Sequence, residues 1–308
     1  MNRILKKRFL FSTVYTAVLA LFTLFVLLDT FVIPHGYGGR TVSDGKQAAE
    51  DLFGEEVAEK AGDGTPIMTE NSYTDGNLSV SIETIRLHDT QVYVAEVILS
   101  SAAYFKTAFA EDTYGRNIRE KSSEIAERVG AIFAVNGDFY GFRNEGFVIR
   151  NGVLYRDTPY SSSRDALVVD AEGKMFAVRE KSTSAQTLLS DGAWQALSFG
   201  PVLLENSEIC VDEDDEIGKM ESNPRTAVGM IEPLHYIFVV SDGRTRESEG
   251  LSLLQMAELM ESYGCTFAYN LDGGGSSTMV FNGRVINNPT DGRSGGERKV
   301  SDIVCIGY

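Results

Sequence analysis

Carboxylates flanked by glycine recur along this sequence: Asp138 in NGDFYG, Asp242 in SDGR, Asp272 in LDGGGSS and Glu297 in GGERKVSD. Three arginines share such settings, Arg225 in NPRTAVG, Arg244 beside Asp242, and Arg298 beside Glu297. An isolated Asp-Gly is ordinarily only a turn. Four such carboxylates with three guanidinium groups form a set suited to carboxylate chemistry on an anionic substrate. Histidine chemistry is a poor fit. His35 lies in a glycine-rich stretch, His88 beside a turn, and His235 at the start of an apolar run, so a Ser-His-Asp arrangement is not expected. GGGSSTM also lacks the G-x-S-x-G pattern and the lysine of a phosphate-binding P-loop.

The stretch NLDGGGSSTMVFNG gives up three consecutive side chains at Gly273, Gly274 and Gly275 and then supplies Ser276 and Ser277. Glycine-rich turns can hold a phosphate through backbone N–H groups, and arginine adds bidentate pairing. A sugar would be held by Asp, Asn and aromatic groups such as Tyr140; a phosphorylated sugar would use both sets. The alternative is a tight crossing under another strand, with no ligand.

The elements that must position these groups are legible around Leu234 to Gly275. LHYIFVVS is a nearly continuous apolar strand. SLLQMAELMESYG reads as a helix, with Ser252 and Gln255 at capping-box spacing and Gly264 as its stop. CTFAYNL is a second apolar strand. Strand, helix, strand predicts a βαβ unit with parallel strands, whose carboxyl ends would bring Asp242–Arg244 and Asp272–Gly275 side by side. VSIETIRL and VYVAEVIL predict early strands, SSEIAERVG a short helix, and DALVVDAEGKMFAV and MVFNGRVIN hairpins, the second through a type I′ turn at Asn282-Gly283. The expected fold is α+β or mixed α/β: a mixed β-sheet core containing the βαβ unit, with flanking helices, preceded by one transmembrane helix.

The 308 residues carry a net charge of −16, and beyond residue 33 the chain holds 24 basic and 43 acidic residues. Nucleic acid is therefore excluded as an expected partner, and an anionic substrate would need a local arginine cluster. Phe9 to Leu28 is twenty residues without a charge, preceded by Arg3, Lys6, Lys7 and Arg8. That length and asymmetry predict a single-pass anchor with the amino terminus cytoplasmic and the remainder outside; the competing reading is a cleaved signal peptide. The expected organisation is a tail over 1–8, an anchor over 9–33, a linker or stalk over 34–70, containing a short helix around QAAEDLFGEEVAEKA, and one domain over 71–308. Cys210, Cys265 and Cys305 make no disulfide scaffold, and the latter two lie in apolar runs as core residues. The acidic run Val211 to Glu216 fails the spacing of a calcium loop.

The chain resembles the phosphodiester glycosidase family in AVNGDFYGF, LSFGPVLLENSEI, NPRTAVGM, the long block VVSDGRTRESEGLSLLQMAELMESYGCTFAYNLDGGGSSTMVFNG and NNPTDGRSGGERKVSDIVCI, over roughly Glu120 to Tyr308. The resemblance implies hydrolysis of a sugar linked through its anomeric carbon to a phosphodiester, in a phosphorylated glycan or surface polymer. On that basis Asp272 is the expected catalytic carboxylate, as nucleophile or as base for water, with Asp138 the second candidate. Arg225 and Arg244 would clamp the phosphate, helped by backbone at Gly274 and Gly275 and by Ser276 and Ser277. Asn136, Asp242 and Arg298 would orient the sugar or the arginines. No cofactor or metal is expected, though a structural cation is compatible. The alternatives are a glycan-binding or exopolysaccharide assembly protein of the same fold, and cleavage at phosphorus.

Overall fold

A computed structural model describes residues 2–37, 42–54, 65–162, 164–212, 222–292 and 295–308. Positions 213–216 of the acidic run lie outside the described residues. Three β-sheets face a common interior. The largest has nine strands, and its centre runs Phe267–Asn270, Arg225–Glu232, His235–Ser241, Thr90–Leu99 and Leu78–Leu87 in spatial order. The second places Phe133–Asn136 between Met279–Phe281 and Asp302–Ile306, with Phe105–Phe109 at its edge. The third pairs Val148–Arg150 with Ala193–Leu197, which in turn pairs with the hairpin Asp165–Asp170 and Met175–Arg179.

Val80, Val97, Phe238 and Tyr269 from the first sheet, Phe133 and Val304 from the second, and Leu167 and Leu197 from the third form one apolar core. The strands bordering that interior on one side and a helix on the other are apolar on both faces, which is why they read as continuous hydrophobic runs. Helix Leu253–Ser262 buries Leu253, Met256, Ala257 and Met260 on the outer face of the first sheet. Helix Ser122–Arg128 covers the second sheet through Ile125 and Ala126, and Ala185–Ser190 covers the third.

The βαβ expectation needs correction in its topology. His235–Ser241 and Phe267–Asn270 do run in the same direction, but Arg225–Glu232 lies between them, antiparallel to both. The ladders of all three sheets are antiparallel, so the core is not a mixed sheet. Arg225–Glu232 reaches that place by a tight hairpin into His235, with Leu234 at φ 70°. The crossover helix therefore skips one strand. The two carboxyl ends still share an edge, and the start of the inserted strand, Arg225, joins them there. The early hairpin turns at His88 and Asp89, with φ of 46° and 51°, and the Asn282-Gly283 turn has φ of 48° and 71°, both fitting the twist that type I′ turns impose.

Asn2–Phe31 is one helix, and its Phe11–Phe31 portion is long and apolar enough to cross a membrane, with none of it buried. Within the expected stalk, Val42–Phe53 is a helix that packs on the third sheet: the Phe53 ring meets Trp194 edge-on at 5.0 Å. Cys265 and Cys305 are buried, as expected for core residues.

The Ser252 hydroxyl accepts from Gln255 N at 3.0 Å while Gln255 Oε1 accepts from Ser252 N at 2.9 Å, so the crossover helix starts on a closed capping box. Replacing Ser252 with Ala should lower the unfolding free energy in urea by about 1 kcal/mol, and Gly by less. Equal denaturation midpoints for wild type and Ser252→Ala would discount the box.

Candidate active site

Segments that follow the strand ends of the first and second sheets line a cleft of about 260 Å³, whose residues include Asp138, Asp272, Ser276, Arg298, Phe139 and Phe142. Asp272 follows the last residue of Phe267–Asn270 by two positions, and its backbone is fixed from the neighbouring sheet. Asn136, the last residue of its own strand, donates from Nδ2 to the Asp272 carbonyl at 2.7 Å and accepts from the Thr226 hydroxyl at 2.8 Å and Thr278 N at 3.2 Å. Asn136 thus positions the Asp272 backbone and is itself fully buried. The Asp272 carboxylate accepts from Gly273 N at 2.9 Å. Burial raises its pKa, opposed by the Ser276 hydroxyl, the Gly273 N–H and the nearby Arg298 and Arg143.

Asp138 also lines the cleft, and its carboxylate is buried. Tyr140 N donates to Oδ1 at 3.0 Å and Ser198 N to Oδ2 at 2.8 Å. Arg150 completes the arrangement, with Nη2 at 3.0 Å from Asp138 Oδ2 and 2.8 Å from Asp302 Oδ2, and Nε donating to Asp302 Oδ2 at 2.9 Å. One guanidinium therefore serves two carboxylates in a dry setting. Burial drives the Asp302 pKa up to about 7 against the pull of Arg150, with the neighbouring Asp138 and Asp272 charges adding to the rise. Gly137 is the residue that lets Asp302 approach: a Cβ there would lie 2.3 Å from Asp302 Oδ1.

The triple glycine has a steric cause at each position. A Cβ on Gly273 would meet the Pro224 carbonyl at 2.9 Å, one on Gly274 the Arg244 Nη2 at 2.7 Å, and one on Gly275 Asp291 Oδ1 at 2.5 Å and Arg298 Nη2 at 2.8 Å. Two guanidinium groups rest directly on bare backbone. Burial lowers the Arg244 pKa, and the proximity of Arg298 lowers it further, with Asp291 opposing. Asp291 also pairs with Arg298 at 2.8 Å. Arg244 also donates from Nε to Asn223 Oδ1 at 2.9 Å, so two guanidinium groups are held close together beside the glycine run, an arrangement suited to an anion.

The remaining expected site residues divide between the cleft and its surroundings. Arg225 is buried, and its Nε donates to the Leu251 carbonyl at 2.8 Å, tying the loop before the helix to the sheet. Asp242 accepts from Asn288 N at 2.8 Å and from the Tyr93 hydroxyl at 3.4 Å, which pins two loops together away from the cleft lining. Tyr140 is buried in an aromatic cluster, stacked on Tyr114 at 5.3 Å, with Arg150 over its ring at 5.8 Å. The aromatic rings at the cleft are its neighbours Phe139 and Phe142, stacked 4.4 Å apart. Ser276 and Ser277 are buried, and Ser276 lines the cleft. Glu297 accepts from Ser123 N at 3.0 Å and from its hydroxyl at 2.6 Å, capping helix Ser122–Arg128.

Sequence reasoning missed Arg150, Asp302 and Asp291. A signal existed for the first: an arginine closing the apolar strand Val148–Arg150 must be paired if it is buried. Asp302 opens a strand with all five residues buried, and nothing local distinguishes it from a strand terminus.

The family model for phosphodiester glycosidases matches residues 129–307. The chain belongs to that family. A prophage-derived protein of Bacillus subtilis, YomE, is 32% identical over 63% of this chain and 31% of its own length. The mouse N-acetylglucosamine-1-phosphodiester alpha-N-acetylglucosaminidase is 29% identical over 61% of this chain and 40% of its own. The chain thus spans well under half the length of these relatives. The zebrafish enzyme of that name, solved as a catalytic domain auto-inhibited by its pro-peptide, superposes with a TM-score of 0.60 at 22% identity, over 75% of this chain and 83% of that one. A Synechocystis protein superposes at 0.58 with 14% identity over 75% of this chain and 62% of that one. The family matches the expectation from the sequence, and the expected sheet core with flanking helices is present, with the βαβ topology corrected above.

The raised Asp302 pKa has a consequence for stability. Between the ordinary value of 3.8 and about 7 the folded chain keeps a proton on Asp302 that the unfolded chain has released. The native state then binds more protons, so this group's contribution to stability falls as pH rises through that window. Denaturant titrations across it should show that decline in the wild type and a flatter profile in Asp302→Asn. Identical slopes in both proteins would contradict the assignment.

Proposed function

We propose that this protein is a membrane-anchored glycosidase that hydrolyses a sugar-1-phosphodiester at the anomeric carbon, with its domain on the extracytoplasmic side. The observation that carries this reading is the Asp272 carboxylate facing the same cleft as Arg298, within a chain of the phosphodiester glycosidase family. A phosphomonoester departs readily, so the chemistry asks for little general-acid help. It needs anion stabilisation on the phosphate and a carboxylate at the anomeric carbon.

In this reading Arg298 and Arg244 receive the phosphate, replacing the Arg225–Arg244 pair expected from the sequence. The backbone at Gly274 and Gly275 admits both guanidinium groups. Phe139 and Phe142 offer an apolar wall for the sugar ring, and Asp138, fixed by Arg150, belongs to the same lining segment. Asp272 acts on the anomeric carbon, as nucleophile or as the base for water. The C–O bond to the sugar breaks, its electrons leave with the phosphomonoester, and water supplies the new anomeric oxygen. Because burial raises the Asp272 pKa, the acid limb of kcat/KM should lie above the ordinary carboxylate range, activity falling as pH drops through it.

The apolar helix carries Arg3, Lys6, Lys7 and Arg8 at its amino end, which orients that end to the cytoplasm. A sugar phosphodiester in a surface glycan or exopolysaccharide is the substrate class this placement suits.

Asp272→Asn should reduce kcat on an aryl or nucleoside-diphosphate α-N-acetylglucosamine phosphodiester by roughly 10³-fold or more, with the circular dichroism spectrum unchanged. Hydrolysis in ¹⁸O-water should label the released sugar. Label on the phosphate would mean cleavage at phosphorus, and tight binding without product would mean a glycan-binding protein.

Gly275→Ala places a methyl against Arg298 and Asp291, both flexible at their ends, so the fold should survive. KM should rise roughly tenfold, equivalent to about 1.4 kcal/mol, with kcat little altered. A kcat defect at constant KM would mean that Arg298 does not hold the substrate's ground state.

A further inference from the structure

The end of the apolar helix is bound to the segment 114–117, which lies two residues from Arg119 in the cleft lining. Asn117 Nδ2 donates to the Thr30 carbonyl at 3.2 Å and the Ile33 carbonyl at 3.1 Å, and Arg116 Nη2 donates to the Thr30 carbonyl at 3.3 Å. His35 and Gly36 then pair antiparallel with Arg116 and Gly115. Gly115 is required for that approach, since a Cβ would lie 2.2 Å from the His35 carbonyl oxygen. Tyr37 N donates to the Tyr114 carbonyl at 2.9 Å, and the two rings meet at 5.7 Å. This is a collar around the helix end, not a free tether.

The same collar touches the cleft loop. Asn117 N donates to the Gly141 carbonyl at 3.2 Å, and the Tyr114 ring stacks on Tyr140, in the loop that carries Phe139 and Phe142. Arg119, two residues beyond Asn117, lines the cleft with its guanidinium over the Phe142 ring at 5.5 Å. Successive Cα atoms are about 3.8 Å apart, so the Asn117 and Arg119 backbones are separated by at most about 8 Å. The headgroup layer beyond each side of the hydrocarbon is of order 5–7 Å thick. With Phe11–Phe31 spanning the bilayer, the Arg119 rim stands at the headgroup layer. Val32, Ile33 and Tyr37, at 55%, 39% and 49% exposure, complete an apolar fringe there. The collar and adjoining rim carry Arg116 and Arg119, with Asp29 beside His35 at 3.4 Å, so the contact with the surface is made by the apolar fringe and not by charge.

We infer that the cleft works on phosphodiesters held in the membrane surface: sugars joined through their anomeric carbon to the phosphate of a long-chain lipid alcohol. Water attacks the anomeric carbon, the C–O bond to the sugar breaks, free sugar enters solution, and the lipid phosphomonoester stays in the bilayer. The inference rests on the glycosidase and membrane-anchor readings above and adds to them the substrate's location.

The test uses the full chain in vesicles of phosphatidylcholine and phosphatidylglycerol. One probe is a long-chain polyprenyl N-acetylglucosaminyl phosphodiester in the same vesicles, the other a short-chain water-soluble analogue. The comparison protein carries Asn117→Ala and a flexible Gly/Ser insertion between Ile33 and Pro34, which frees the domain from its collar. The wild type should cleave the vesicle-borne ester about tenfold faster than the released variant, because the collar raises the cleft's effective concentration at the surface. Both should cleave the soluble analogue equally, which also certifies the variant's fold. Equal rates on the vesicle-borne ester, a variant that also loses the soluble activity, or a wild type active on the soluble analogue alone would overturn the inference while leaving the glycosidase reading intact. A wild type inactive on both probes would overturn the glycosidase reading, and this inference with it.

Discussion

Arg150 joins two of the three sheets at the point where the site is built. Its strand belongs to the third sheet, and its two carboxylate partners, Asp138 and Asp302, belong to the second. All three side chains are essentially removed from water. Burying a guanidinium and two carboxylates costs more than their attraction returns unless the remaining polar atoms are also satisfied. Here most are: Arg150 Nη1 donates to the Ala196 and Ile149 carbonyls, and Asp138 accepts from two backbone N–H groups. Such an arrangement holds only when both sheets are in register. Its value to the molecule is accordingly positional, and what it positions is Asp138 and the loop that follows.

A second fixed point lies on the first sheet, where Asn136 uses its amide to secure the Asp272 carbonyl and Thr226 across the sheet boundary. Asp272 and Asp138 are therefore both held through the end of the one strand Phe133–Asn136, the first by a side chain and the second by the chain itself. Between them the glycine run strips the backbone of Cβ atoms where Arg244 and Arg298 must lie. Arg244 and Arg298 are thereby brought together in a molecule whose net charge is −16. An anion is repelled by most of the surface and favoured at this mouth, so the overall charge sharpens selectivity for the cleft.

Much of this was legible in the sequence, because period and turn chemistry are local. The capping box at Ser252, the type I′ turn at Asn282-Gly283 and the common edge of Asp242 and Asp272 all follow from short-range rules. The insertion of Arg225–Glu232 between the two same-direction strands was not legible, since pairing partners are chosen by the whole sheet. The same limit governs the site. Asp242, Arg225 and Glu297 have the residue types and turn settings of site groups, yet each ties a loop or helix end to its neighbour. An aspartate beside glycine satisfies backbone N–H groups equally well in a cleft or under a loop. Arg150 and Asp302 were hidden for the opposite reason, being set in apolar strands where a charge has meaning only once its partner from a distant segment is known.

The collar at residues 114–117 extends the argument from the site to its placement. A tether that only retained the domain would need no hydrogen bonds to the helix end and no glycine at position 115. Residues 30, 33 and 35–37 instead meet a complementary segment that also supports the Phe139–Phe142 loop, so helix end and cleft wall form one packed unit. Rotation of the domain about the apolar helix would have to break the Asn117 contacts and the short ladder together. The direction in which the cleft meets its surroundings is therefore set by the side-chain contacts of Asn117 and the short ladder at residues 35–36, while the backbone of Asn117 separately holds the Gly141 carbonyl.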